Sequence, residues 1–163
     1  RQLLRLPCAV ALVRVVHMGR THPHEILIPL KERIGQVPAR AEFAALVAKA
    51  FSAKVHLFHV APPRMRFFHG ETHVTPLEWE ERVPPDILRF IGHLDGHGVE
   101  HEKRMAPGRA GKGISIEAAS RRRDLIIMGA SDRGILGLLR GGDPVKEVLR
   151  ETPCNVIVFK PGT

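Results

Sequence analysis

Short apolar runs alternate with helical segments along most of this chain, and that alternation limits its fold more than any other feature. Residues 25–30, EILIPL, form an apolar run of strand length. After the loop KERIGQVP, residues 41–53 place Phe43, Ala44, Val47 and Phe51 on one face of an amphipathic helix. Residues 54–60, KVHLFHV, alternate and carry β-branched and aromatic types, so they predict a second strand. The stretch 61–83 is polar and turn-rich, which predicts an excursion. Pro84 and Pro85 suit the first turn of a helix, with Ile87, Leu88, Ile91 and Leu94 on one face and Gly96 and Gly98 at its end. A weak strand over 99–106, a helix over 114–122, the strand DLIIMGAS, a helix from Asp143–Pro144 with Val145, Val148 and Leu149 inward, and the strand CNVIVFK complete the chain. Strands separated by helices imply parallel pairing through right-handed crossovers. The expected fold is α/β: an open parallel five-stranded sheet, Rossmann-like, with helices on both faces. Ligands of such sheets sit at the carboxyl ends of the strands, where strand order reverses.

With 163 residues, 44% apolar and 26% charged, the chain can bury the core of one ordinary domain. No apolar run reaches the roughly 18 residues of a membrane span. The opening RQLLRLPCAVALVRVV has arginines at both ends and no small-residue cleavage site, which argues against a secretory signal. Two cysteines, Cys8 and Cys154, give neither a disulfide framework nor metal spacing, so a cytoplasmic setting is expected. The net charge of +8 attracts polyanions, but the absence of Tyr and 5% aromatics weaken a stacking platform for nucleic acid. Specific nucleic-acid binding is not expected.

Residues 3–14, LLRLPCAVALVR, echo residues 148–160, VLRETPCNVIVFK. Both pass from an apolar-Leu-Arg helix end through Pro-Cys into a β-branched strand. Pro7 and Cys8 correspond to Pro153 and Cys154. Such an echo is the mark of a repeat. It predicts that residues 1–16 carry the last strand of a preceding copy, 17–24 a linker, and 25–161 a complete second copy. An orphan strand must pair, because an open edge invites aggregation.

The run DLIIMGASDRGILGLLRGGDPVKEVLRETPCNVIVFKP resembles the C-terminal half of a universal stress protein domain. The family pattern there is a strand ending in Gly, then G-x-x-G-x9-G-[ST], a helix, Pro-Cys-x-Val and a closing strand. Residues 25–63 are similar to the family's opening, with a second strand ending in His59–Val60 before proline. The resemblance implies a nucleotide site at the strand ends, along Pro29, Leu30 and Lys31, at Val60, and around Gly129, Ala130 and Ser131. Its phosphate loop would run through Asp132 and Arg133 to Gly142 and Asp143. It also implies an edge-to-edge dimer through the closing strand, at Val156, Ile157, Val158 and Phe159. These residues are expected to pair antiparallel with the same strand of a second chain, or with the orphan strand at Ala9–Val13 as a pseudo-dimer with the preceding repeat.

Three positions depart from the pattern. Asp132 replaces the second glycine, Asp143 the Ser/Thr, and Lys31 the acidic residue that would hold a ribose. Asp143 precedes Pro144, where an N-cap belongs, and its carboxylate competes for the N–H groups a phosphate would need. Two like charges about 4 Å apart cost about 1–4 kcal/mol at effective dielectrics of 80–20. Lys31, Arg133 and Arg140 pull the other way. The expectation is a regulatory or interaction module without standard ATP binding and without a cofactor. The alternatives are a sensor of ATP, AMP or another anionic nucleotide, and the cytosolic tail of a membrane transporter.

Other constellations carry less. GRAGKG (108–113) fails the Walker pattern and predicts a strand-to-helix turn. His93, His97 and His101 predict solvated histidines rather than a metal site, as do His17, His22 and His24. Arg121–Arg123 suits a helix C-terminus, offsetting its dipole. Cys154 predicts a small buried hydrophobe. No nucleophile–base set stands at useful spacing, so no enzyme is expected.

Overall fold

The computed structural model describes residues 8–19, 22–61, 81–130 and 144–162. In chain order the elements are β1 (Val10–Arg14), β2 (Glu25–Leu30), α1 (Val37–Ala50), β3 (Lys54–Ala61), α2 (Pro85–Gly96), β4 (His101–Pro107), α3 (Ala110–Ser120), β5 (Leu125–Gly129), α4 (Pro144–Glu151) and β6 (Asn155–Lys160). They build one six-stranded sheet in the order β1-β6-β5-β2-β3-β4. The pairings among β2 to β6 are parallel, and β1 lies antiparallel on β6. The Rossmann-like α/β fold read from the alternation is therefore present, with the extra strand as its sixth member.

Strand order reverses between β5 and β2. Their ladder holds only Ile26–Leu125 and Leu27–Ile126, so the carboxyl halves of both strands are left unladdered. A crevice at the carboxyl edge belongs at that point.

Alternation along each strand divides the core into two layers. Ile26, Ile28, Val55, Leu57, Leu125 and Ile127 face α1 and α2. Leu27, Phe58, Ile126, Met128, Val156 and Val158 face α3 and α4. Side chains such as Ile26, Leu57 and Ile126 are fully enclosed, each worth about 1.5–3 kcal/mol.

The helices depart from the sequence reading in instructive ways. In α1 the enclosed face is Val37, Ala41, Ala44, Ala45 and Ala48, while Phe43 and Val47 are only partly covered. Small residues let the helix lie close on the sheet, and the larger ones spread to its flank. In α2, Phe90 joins Ile87, Ile91 and Leu94 inside, and Leu88 is exposed. That helix ends as expected: Gly98 takes φ +64°, and Val99 N–H donates to Leu94 O at 3.1 Å. α3 begins at Ala110, not Ile114, so most of GRAGKG is helix rather than turn. Gly108 at φ +137° makes the bend before it. Gly113 lies where α3 crosses β3, and a Cβ there would stand 3.2 Å from Val60 Cγ2. β4 runs His101–Pro107, two residues later than expected at its start and one at its end.

Candidate functional site

At the carboxyl edge β2 ends in half-buried Pro29 and buried Leu30, and Lys31 follows in solvent. His59, beside Leu30 in the β2–β3 register, has its ring Nδ1 2.9 Å from Leu30 O. A carbonyl only accepts, so Nδ1 carries the proton. Val60 lies half-buried beneath Gly113. On the other side of the switch, β5 ends at exposed Gly129, followed by buried Ala130. Ser131, Asp132, Arg133, Arg140, Gly142 and Asp143 lie outside the described residues. The structure thus assembles Pro29, Leu30, Lys31, Val60, Gly129 and Ala130 along one edge of the sheet, at the ends of three strands.

Sequence reading missed Arg40 at this edge. It is buried in the first turn of α1. Nε donates to Gly35 O at 2.7 Å, Nη1 to Phe159 O at 3.0 Å and Nη2 to Ala130 O at 2.9 Å. A planar fork of N–H donors suits several carbonyls at once, as a lysine would not. The signal was weak, since helical periodicity assigns arginine to solvent. Lys31 stands exposed at this edge, while Arg40 lies buried behind it with its donors on backbone carbonyls.

The expected dimer strand is occupied within the chain. Val156, Ile157, Val158 and Phe159 pair with Arg14, Val13, Leu12 and Ala11. This is the second of the two pairings expected for them.

A second charged assembly lies at the opposite, amino edge, and the sequence reading did not find it. Arg123 is buried, unlike exposed Arg121 and Arg122, so the run is not a uniform solvated patch. Its Nη1 donates to Glu25 Oε2 at 2.9 Å and its Nη2 to Glu117 Oε1 at 3.4 Å. Arg104 Nε stands 3.5 Å from the same Glu117 oxygen. Buried His56 touches Glu25 through Nε2, and its Nδ1 lies 3.1 Å from Glu102 Oε2 without the geometry of a hydrogen bond. Burial first, then the Arg123 charge, push His56 below its ordinary 6.5. Lys54 pairs with Glu102 and holds that carboxyl below the usual range. The only signal in the sequence was a polar or charged residue early in each strand: Glu25 in β2, Lys54 and His56 in β3, and Glu102 and Arg104 in β4.

An open groove of about 580 Å³ adjoins this assembly, lined by Lys54, Asp95, Val99 and Glu100 among others. It lies away from the crevice and carries no nucleotide-like lining. Asp124 latches the same edge by accepting from His24 and Glu25 N–H at 3.0 Å each. Cys154 is buried beside Thr152 Oγ1 at 3.2 Å, and burial pushes its thiol up. His93 is exposed and His97 half-exposed, but the His101 side chain, expected in solvent, is buried with Nδ1 3.0 Å from Val99 O; among the described residues no three His, Cys, Asp or Glu side chains could hold a metal. Among those residues no helix is long and apolar enough to cross a membrane.

The profile of the universal stress protein family matches residues 24–160, nearly the whole sheet with its covering helices. The chain belongs to the universal stress protein family. A universal stress protein from Archaeoglobus fulgidus is similar in structure, with TM-score 0.62 and 19% identity over 83% of this chain and 98% of that one. The Archaeoglobus fulgidus protein in complex with dAMP gives TM-score 0.59 and 17% identity over 83% and 97%. A universal stress protein from Archaeoglobus fulgidus DSM 4304 gives TM-score 0.61 and 18% identity over 94% of this chain but 50% of that longer one. At such identities the likeness speaks to the fold. A comparison with curated proteins finds no match. This universal stress protein domain thus keeps the family's sheet and switch point, with Lys31 at the end of its first parallel strand.

Proposed function

We propose that the chain acts as a non-enzymatic regulatory module, docked through its β6 edge, and that ATP in the standard family pose is not its ligand. The observation that carries this reading is β1. It lies along β6 through five residue pairs, antiparallel in an otherwise parallel sheet. Its far end is fastened as well: Asn155 Oδ1 accepts from Val16 N–H at 2.8 Å and His17 N–H at 3.2 Å, and Arg14 Nη1 donates to Thr152 O at 3.1 Å. A strand that echoes β6 and takes its edge is what the last strand of a preceding repeat would do. The larger share of this chain aligned to the double-length DSM 4304 relative supports the tandem reading. Leu12 and Val13 of β1 and Val15 just after it are exposed, Leu12 on one face of the strand and Val13 on the other, apolar positions that the body of that repeat would cover. A cytoplasmic setting goes with this reading.

For the crevice, exposed Lys31 in place of an acid removes the expected ribose partner, and the signature carries aspartates at 132 and 143, where the family pattern has Gly and Ser/Thr. At about 1–4 kcal/mol for each like-charge pair about 4 Å apart, affinity would fall by about fivefold to a thousandfold. A second reading, a sensor of adenosine monophosphate or another anionic nucleotide, is favoured by exposed Lys31 at the edge and by the dAMP complex of a structural neighbour. Calorimetry of the full chain with ATP, ADP, AMP and a cyclic dinucleotide separates the two. The module reading expects no micromolar ATP binding. Micromolar ATP binding that Lys31→Ala weakens would overturn it.

A further inference from the structure

We infer that Arg40 is a positioning residue that ties the entrance of the signature loop to the β6–β1 junction, and that Gly129 is glycine in order to admit it. The inference rests on the docking reading above for its consequence, while the tie itself is a matter of geometry.

Three separate segments meet on one guanidinium. Gly35 belongs to the stretch that leads from Lys31 into α1, Ala130 follows β5 at the start of the signature, and Phe159 lies in β6. The Phe159 carbonyl also accepts from Ala130 N–H at 2.9 Å, so the loop entrance and the edge strand share one acceptor with Arg40. One turn along α1, Phe43 stacks on the Phe159 ring at 3.9 Å with 3° between planes. Across the ladder Phe159 faces Ala11 of β1. A chain of direct contacts therefore runs from β1 through Phe159 and Arg40 to Ala130.

Gly129 fits this account on independent grounds. Its φ is not positive, so its backbone does not demand glycine. Alternation along β5 turns its missing side chain toward α1, where Ile127 also points. A Cβ there would run into Arg40 Nη1 and lie 3.2 Å from Cζ. A flexible arginine could step aside, but this one is buried and held by three carbonyls. The first glycine of the signature thus makes room for a cation from behind the sheet, whatever it does for a ligand in front.

Amide hydrogen exchange of the full chain, without ligand, tests the tie. Arg40→Met keeps the apolar stem and removes the donors. Exchange at Ala130 and along β1 is expected to rise about tenfold, while β3 and β4 keep their rates. Arg40→Lys does not restore protection, because one ammonium cannot span three carbonyls. Gly129→Ala gives the same local pattern, and adding it to Arg40→Met changes little more, since both act on one contact. Unchanged exchange, a uniform rise over the whole sheet, or additive effects would overturn the inference. Should Arg40→Met fail to fold, Leu12→Pro disturbs β1 opposite Val158, one residue from Phe159, without altering any residue bonded to Arg40. Faster exchange at Ala130 then supports the tie, and an unaltered Ala130 refutes it. Unprotected β1 amides in the unsubstituted chain would count against the docking reading, whereas protected β1 amides indifferent to Arg40 would count against the tie alone.

Discussion

Replacing Arg123 with methionine should destabilise the domain by about 2–4 kcal/mol, although the sequence offers it only as one of three arginines offsetting a helix dipole. The magnitude follows from what is left behind. Arg123 and Glu117 side chains are each 7% exposed, so the Glu117 carboxylate stays buried when its partner goes. Breaking a buried pair in this way typically costs about 3–5 kcal/mol. Two features lower the figure here. Arg104 Nε remains 3.5 Å from Glu117, and Glu25, at 37% exposed, can turn to water. Methionine keeps the stem's packing, so the loss reports charge and hydrogen bonding. Urea unfolding is the assay, with Arg121→Met as the control. At a slope of about 2 kcal/mol per molar, the Arg123→Met midpoint should fall by about 1–2 M, while Arg121→Met stays within about 0.5 kcal/mol of the parent. The double change Arg123→Met with Glu117→Leu should recover much of the loss, because no buried charge is then stranded. Equal midpoints for the two single variants would refute the reasoning.

Stability should also fall with acid through His56. Its folded pKa lies below the ordinary 6.5, so the unfolded chain binds the proton more readily. The contribution is complete above about pH 6.5 and is lost as pH falls from there through the folded value. Urea midpoints between pH 8 and 5 should therefore drop more steeply for the parent than for His56→Gln, and parallel curves would contradict the assignment. At Gly113, valine should destabilise by about 1–3 kcal/mol by crowding Val60. Alanine should be nearly neutral, its helical gain of up to about 1 kcal/mol offsetting a contact only slightly too close. Thermal melts of the two variants check this, and an equally stable valine variant would show that α3 does not press on β3 there.

Most of the sheet was legible because strands buried on both faces are written as apolar runs: EILIPL, LIIM and NVIVF stand out without any tertiary information. The boundaries of α3 were not legible, since Gly111 and Gly113 look like a turn until α4 and β3 are seen pressing on them. Charge hid the rest. Arg40, His56 and Arg123 are polar by type and buried by circumstance, and their partners come from other elements. Periodicity within one segment cannot find a pair such as Arg40 and Phe159, which are far apart in the chain. The β1 strand is the opposite case. Its echo of residues 148–160 was visible in the sequence, and its neighbour could be named before the ladder was seen.

The closing of the β6 edge by β1 of the same chain can be tested by a cross-link. Val13 and Ile157 stand directly opposite each other in the antiparallel register. With Cys8→Ser and Cys154→Ser in the background, Val13→Cys and Ile157→Cys place two thiols within the span of a disulfide. Non-reducing electrophoresis after mild oxidation should show a cross-linked single chain that migrates differently from the reduced form. A cross-linked pair of chains, or no bond at all, would contradict the claim.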